Sequence, residues 1–243
     1  MRILGIDLAL NHTGAVLLVD GKLSQYWYWT ASSKLAKLSK RGVKLTVPHQ
    51  IKKDMHLRNL WRLEFIRKNL KKIIKEAKPH YAGLEDYAVG KSQGAHYLGE
   101  AGCLLRLSLA HARIPFRAYD PHSLKMFATG SGNAPKEIVE PKVSQRWGVS
   151  FEKFRGEIKK SKTKEVVKDC EISADLADAF VAAKLAETEV LLRQGKINLS
   201  DLLDDKQRQV FLRTTKTYPI NILGRGWISL KSLSIEPKKR NPK

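Results

Sequence analysis

The chain has 243 residues, 42% apolar and 28% charged, enough for one large domain or two small ones with a sizeable core. Its 45 Lys and Arg outnumber 24 Asp and Glu, and the net charge of +21 points to a polyanionic partner, nucleic acid first and an acidic membrane surface second. No apolar run approaches a membrane span, the opening residues lack a cleavable leader pattern, and Cys103 and Cys170 form neither a disulfide framework nor a zinc motif; a reducing, cytoplasmic setting is expected, with no membrane partner.

Residues 2–8 are apolar and β-rich, as a buried central strand is, and 14–19 form a second strand. Asp20-Gly21 is a two-residue hairpin signal, and 22–29 form a third strand, so the chain opens as an antiparallel meander. The Tyr26-Trp27-Tyr28-Trp29 run reads as sheet packing. Residues 31–54 show weak periodicity and many lysines, a basic insertion. Leu57, Leu60, Trp61, Leu63, Ile66, Leu70, Ile73, Ile74 and Ala77 then recur at helical spacing and predict a helix over 55–77, ended by Pro79. A strand over 80–85 ends on Glu85, a helix covers 94–113, and a short strand covers 115–119. Pro121 opens a helical turn, 134–147 are helical, 148–171 are charged and irregular, and 173–193 form a third long helix with Ser173 at its cap. Hairpins followed by β/α alternation predict one α/β domain around a mixed five-stranded sheet with helices on both faces. Residues 195–243 are an appendage with no assignable fold.

The charge is not spread evenly. Residues 31–78 carry 15 Lys/Arg and 3 acids, and residues 206–243 carry 10 Lys/Arg and only Glu236; these two blocks hold the whole surplus. Such blocks suit a phosphate track that supplies affinity and salt dependence rather than sequence choice.

Four carboxylates stand where a buried element does not favour one. Asp7 follows Ile3-Leu4-Gly5-Ile6, Glu85 follows Tyr81-Ala82-Gly83-Leu84, and Asp175 and Asp178 lie three apart in an Ala-rich helix, on one face. Taken singly each has a plainer reading: a strand-end acid closes a turn, and acids early in a helix complement its dipole. Grouped, they make a hard oxygen site for Mg²⁺ or Mn²⁺, suited to two-metal phosphoryl chemistry. Gly130 and Gly132 permit tight turns whose N–H groups face an anion.

Gly5-Ile6-Asp7 followed by Thr13-Gly14, the strand ending in Glu85, and Asp175-Leu176-Ala177-Asp178-Ala179 occur in an informative order. Between the last two lies Asp120-Pro121-His122-Ser123-Leu124-Lys125, continuing through Gly130-Ser131-Gly132-Asn133-Ala134-Pro135-Lys136, in which two lysines flank a Gly-x-Gly turn. Together these pieces span about residues 1–192 and resemble the RuvC family of Holliday-junction resolvases, which have an RNase H-like fold. The resemblance implies a nuclease domain over 1–194, with 31–54 as insertion and 195–243 as basic C-terminal extension, in a divergent, phage- or virus-like member. It implies that Asp7, Glu85, Asp175 and Asp178 bind Mg²⁺, two ions per site with Mn²⁺ able to substitute. Lys125 and Lys136 are then catalytic and contact phosphates near the cut. Tyr87 and Lys91 in the loop after Glu85, and Ser131 and Asn133 in the turn, are further DNA contacts, Tyr87 being the one aromatic available as a junction wedge. It further implies a homodimer packed through the 94–113 helix, cutting a four-way DNA junction by symmetric paired nicks. Three other readings stay open: another RNase H-like nuclease on branched DNA, flaps or RNA–DNA hybrids, a non-catalytic architectural DNA binder, and a sugar-kinase-type ATPase, whose second Asp-x-Gly loop is not found in the sequence.

Overall fold

The computed structural model describes residues 1–10, 12–30, 42–44, 53–86, 95–151 and 171–233; for Thr30, 42–44, 171–173 and Leu233 it describes the backbone alone. Most of the basic insertion, most of the 148–171 stretch expected to be irregular, and the loop holding Tyr87 and Lys91 lie outside the described residues.

Strands β1 (Arg2–Leu8), β2 (His12–Val19) and β3 (Lys22–Thr30) form the antiparallel meander. Asp20 and Gly21 turn it with φ of 47° and 78°, the two positive angles of the mirror-image turn that Asp-Gly favours. Strands β5 (Tyr81–Glu85) and β6 (Phe116–Tyr119) extend it in parallel on the other side of β1. These are the five strands expected. A sixth, β4 (Gly42–Lys44), pairs in parallel with β3 from within the insertion, giving the order β4-β3-β2-β1-β5-β6. Three residues are too few to show alternation, so this strand leaves no pattern in the sequence.

The helices cover both faces. Helix α1 (Met55–Ala77) starts where the Asp54 side chain accepts from the Leu57 N–H at 2.9 Å, and stops at left-handed Lys78 before Pro79. With α2 (Ala95–His111) it buries Ile66, Leu70, Ile73, Ala101, Leu105 and Leu109 against Leu4, Ile6, Ala15, Leu17 and Trp29. On the opposite face, α3 (Pro121–Thr129), α4 (Lys136–Trp147) and α5 (Glu171–Arg193) pack on Ile3, Val16, Leu18 and Tyr28. Tyr28 and Trp29 thus enter opposite cores, as adjacent strand residues must. Helix α5 begins two residues before Ser173, so that residue lies inside the helix rather than at its cap.

The described residues from 196 to 233 pack on this framework. Helix α6 (Asp205–Leu212) sends Val210 and Phe211 into the core shared with Phe127 and Phe180, and Leu202 and Ile222 join them. Ile228 exchanges both backbone hydrogen bonds with Phe116, at 2.9 and 3.0 Å, covering part of the outer edge of β6. Beneath it, Arg117 grips buried Glu189 of α5 with two bonds of 2.6 and 2.7 Å and donates to the Arg225 carbonyl at 2.8 Å. Tyr119 and Arg193 also donate to Glu189. No described helix is long and apolar enough to cross a membrane.

Candidate active site

The alternation of the strands decides which residues share the face under α5. Gly5 and Asp7 on β1, and Gly83 and Glu85 on β5, all point to that face, with Gly5 directly opposite Gly83. Each acid therefore stands two residues beyond a glycine. The glycines are the seat of the helix: a Cβ on Gly5 would lie 1.9 Å from the Ala179 carbonyl oxygen, and one on Gly83 would lie 2.2 Å from that of Ala182. Gly14 on β2 makes a third such approach, 2.6 Å from the Asp175 carbonyl oxygen. The Ala-rich face of α5 and three glycines on adjacent strands bring helix backbone onto sheet backbone, which sets Asp178 beside the two strand ends.

Asp7, Glu85 and Asp178 offer carboxylate oxygens that all lie within 4.8 Å of one another, a group able to hold a metal ion. Burial and the charges of Glu85, Asp175 and Asp178 push the Asp7 carboxyl well above its usual range. Burial, then the charge of Asp178, raises Glu85 to about 8. Burial, opposed by Lys136 and aided by Asp175, raises Asp178 to about 6. Three acids that resist ionising together without a cation have the donor chemistry of a hard divalent ion.

Asp175 stands apart from this trio. One turn earlier on α5, it is buried, with Lys136 Nζ 2.8 Å from Oδ1 and His12 Nδ1 2.8 Å from Oδ2. The Tyr28 hydroxyl donates to Oδ2 at 3.4 Å. Burial alone raises its carboxyl, but the His12 bond and the charges of His12 and Lys136 outweigh that and hold it below the usual range. The same bond raises His12. His12 carried no sequence signal: a lone histidine between Asn11 and Thr13 fits no spacing rule.

Lys125 projects from α3 close enough that its charge lowers both Glu85 and Asp178, and it makes no ion pair among the described residues. Lys136, at the first position of α4, is half-exposed beyond its bond to Asp175. Between the lysines, Gly130 closes α3 with φ 83°, Ser131 and Asn133 are exposed, and buried Gly132 packs under the His122 ring. Asp86, next to Glu85, accepts from Arg106 of α2 and from the Tyr218 hydroxyl. A cavity of about 250 Å³ opens here, lined by Asp7, Glu85, Asp86, Arg106, Leu98 and Pro121 among others. Helix α2 turns Ala101, Gly102, Leu105 and Leu109 into the chain's own core, leaving Cys103 and Leu107 exposed.

No protein-family profile matches the sequence. Among curated proteins, it is 27% identical over 146 residues to the crossover junction endodeoxyribonuclease RuvC of Bartonella bacilliformis, covering 60% of this chain and 77% of that protein. It is 35% identical over 79 residues to the RuvC of Brachyspira hyodysenteriae, 32% of this chain and 49% of that one. Among solved structures, Thermus thermophilus RuvC in complex with Holliday junction substrate superposes with a TM-score of 0.51 at 20% identity, over 81% of this chain and 96% of that one. The resemblance read from the motifs is borne out: by sequence and by fold the similar proteins are RuvC proteins, and the chain has the mixed-sheet RNase H-like fold of RuvC.

Proposed function

We propose that this chain is a structure-selective, metal-dependent DNA endonuclease that resolves four-way junctions by symmetric paired nicks. The observation that carries the reading is the Asp7–Glu85–Asp178 group, built from the ends of two strands and one helix in a RuvC-like fold. The relatives named RuvC and the basic surplus support the same substrate class.

In this reading Asp7, Glu85, Asp178 and, across the site, Asp175 hold Mg²⁺, two ions per site, with Mn²⁺ substituting. Bound there, such ions supply Lewis-acid polarisation of the phosphodiester and a water of lowered pKa. The chain itself does the rest. The seat of glycines holds the carboxylates at fixed separation, so little reorganisation accompanies charge development. Half-exposed Lys136, bonded to Asp175, and Lys125, whose charge reaches Glu85 and Asp178, are in this reading the two cations that meet the scissile phosphate and its neighbour. Positive charge there offsets the repulsion between the DNA backbone and the acids. His12 and Lys136 keep Asp175 ionised, so it is an acceptor at neutral pH. Ser131 and Asn133 on the turn, and Tyr87 and Lys91 on the loop after Glu85, are the further DNA contacts of this reading.

A four-way junction has near-twofold symmetry, and a homodimer presents two sites to opposing strands. The exposed side of α2, with Cys103 and Leu107, is the face of that helix left for a second copy. The setting is the cytoplasm of a bacterium or an infected host cell.

The test is cleavage mapping on a mobile four-way junction, a flap and an RNA–DNA hybrid with Mg²⁺ or Mn²⁺, using the wild-type chain and Asp7→Asn. Symmetric junction cuts that vanish with Asp7→Asn are expected. Undiminished cutting by Asp7→Asn overturns the ligand assignment, and preference for flap or hybrid overturns the junction as substrate.

A further inference from the structure

The segment after α5 ends up at the mouth of the acidic site, and its charge there is one-sided. From 206 to 233 it carries six Lys/Arg and no acid. Three contacts place it. The Tyr218 hydroxyl donates to Asp86, the neighbour of Glu85, with Arg225 stacked 4.3 Å over the Tyr218 ring. Arg213, at the end of α6, donates to Nδ1 of His122, whose ring packs on Gly132 in the turn between the two lysines. Lys206, on the first turn of α6, lies with its Cγ 4.0 Å from where a Cβ on Gly130 would be.

Some cations in this region have carboxylate partners: Arg146 takes Asp204 at 2.7 Å, Arg208 takes Asp205, and Arg193 takes Glu189 at 2.8 Å. The acids at the start of α6 are thereby neutralised by their own partners. Lys206 and Arg213 have no carboxylate partner among the described residues, and neither does Lys125 across the turn. Cations without a carboxylate partner keep their charge available to an anion. Lys206 is exposed, and Gln207 beside it is anchored by its bond to the Phe127 carbonyl at 3.1 Å, so the helix that presents these cations is fixed to the core.

We infer that the C-terminal segment is a wall of the DNA-binding groove, with Lys206 and Arg213 binding backbone phosphates of the strand that passes over the Gly130–Gly132 turn into the acidic site. The inference rests on the reading of the chain as a DNA-cutting enzyme and adds a second, C-terminal set of phosphate contacts to the lysines flanking the turn. Contacts of this kind supply affinity and register without reading bases.

The experiment measures binding of the full chain to a labelled four-way junction and to a duplex of equal length, in metal-free buffer from 50 to 200 mM salt. It compares wild type, Lys206→Gln/Arg213→Gln and Lys22→Gln/Lys196→Gln. The last pair removes the same charge from exposed positions, at the β2–β3 turn and just after α5, away from the acids. Two lost phosphate contacts flatten the slope of log K against log salt by roughly 1.8 and weaken binding roughly 10- to 60-fold at 0.1 M salt. The distant pair is expected to change either quantity by far less, and Mn²⁺ affinity is expected to stay within about twofold of wild type in both. Should the two double variants lose affinity and slope equally, the effect is net charge and the wall is refuted. Unchanged binding by Lys206→Gln/Arg213→Gln refutes it as well. A wild type that binds duplex as tightly as junction overturns the junction reading instead, while the slope on duplex still decides the wall. Thermal unfolding of each variant guards against a folding defect, and Lys206→Gln alone, at an exposed position, is expected to flatten the slope by about half as much.

Discussion

Gly5→Ala tests the seat on which the site depends. Gly5 does not sit at positive φ, so alanine is free of backbone strain there and the substitution reports sterics alone. The new methyl would lie 1.9 Å from the Ala179 carbonyl oxygen and 2.8 Å from the Ala183 Cβ, both on α5, and real Cβ contacts essentially never fall under 3.0 Å. Helix and sheet must therefore part by about 1.1 Å or more along that contact. Overpacking of this sort costs about 1–3 kcal/mol, at the upper end here because the obstacle is backbone on both sides. In a chain of this length each kcal/mol moves Tm by roughly 2–4 °C, so a drop of roughly 5–12 °C is expected. Asp178 rides on the displaced helix while Asp7 stays on β1, and a misplacement of ~1 Å in a catalytic constellation costs on the order of 10²-fold in rate. Calorimetric Tm, Mn²⁺ titration and junction cleavage below both melting temperatures read the three consequences. Gly226→Ala, exposed with nothing within 4 Å, is the matched control and should leave all three unchanged. A Gly5→Ala chain with wild-type Tm and wild-type Mn²⁺ affinity would refute the argument that helix-to-sheet contact sets the spacing of the acids.

The metal-free protein should lose stability as pH rises from about 4 towards 8, because Asp7, Glu85 and Asp178 bind protons more tightly folded than unfolded, Glu85 with a value of about 8 and Asp178 about 6. Denaturant midpoints across that range check the sign, and Mn²⁺ at 100 times its Kd should restore about 2.7 kcal/mol at pH 8. Lys136→Met should slow junction cleavage on the order of 10²-fold while tightening Mn²⁺ binding, since it removes a cation that pairs with Asp175 at 2.8 Å; weaker Mn²⁺ binding would contradict the electrostatic account. Arg117→Met leaves Glu189 buried without its two-bonded partner and should cost about 3–5 kcal/mol in urea unfolding. A chain ending at Asp205 removes Gln207, Val210, Phe211 and Ile222 from the core and should fail to unfold cooperatively.

Much of the fold was legible because its signals are local. The apolar recurrence from Leu57 to Ala77 gives the bounds of α1, although Leu57 and Leu60 are exposed and Asn59 is buried, and the Asp-Gly turn, Pro79 and Pro121 mark boundaries by backbone chemistry. An acid closing an apolar run is conspicuous, which is why Asp7 and Glu85 stood out. The segment after 195 was not legible: α6 is eight residues long, its neighbours are single turns, and short elements carry no period to read. The role of Gly5 and Gly83 was missed for a related reason. A glycine in a strand signals a close approach, but not of what.

Asp175 and Asp178 show the boundary most clearly. Their spacing puts them on one side of α5, yet three residues advance about 4.5 Å along a helix axis. That advance is enough to aim Asp178 at Asp7 and Glu85 and to leave Asp175 with Lys136 and His12. The order of residues by itself determined the opening meander, the strands ending at Glu85 and Tyr119, the long helices, and which side chains are candidates for a metal site. Their meeting was decided only in three dimensions, by how closely a helix from residue 171 onward lies on strands ending at Leu8 and Glu85. Packing distance between segments so far apart is a property of the assembled backbone, and no local pattern encodes it.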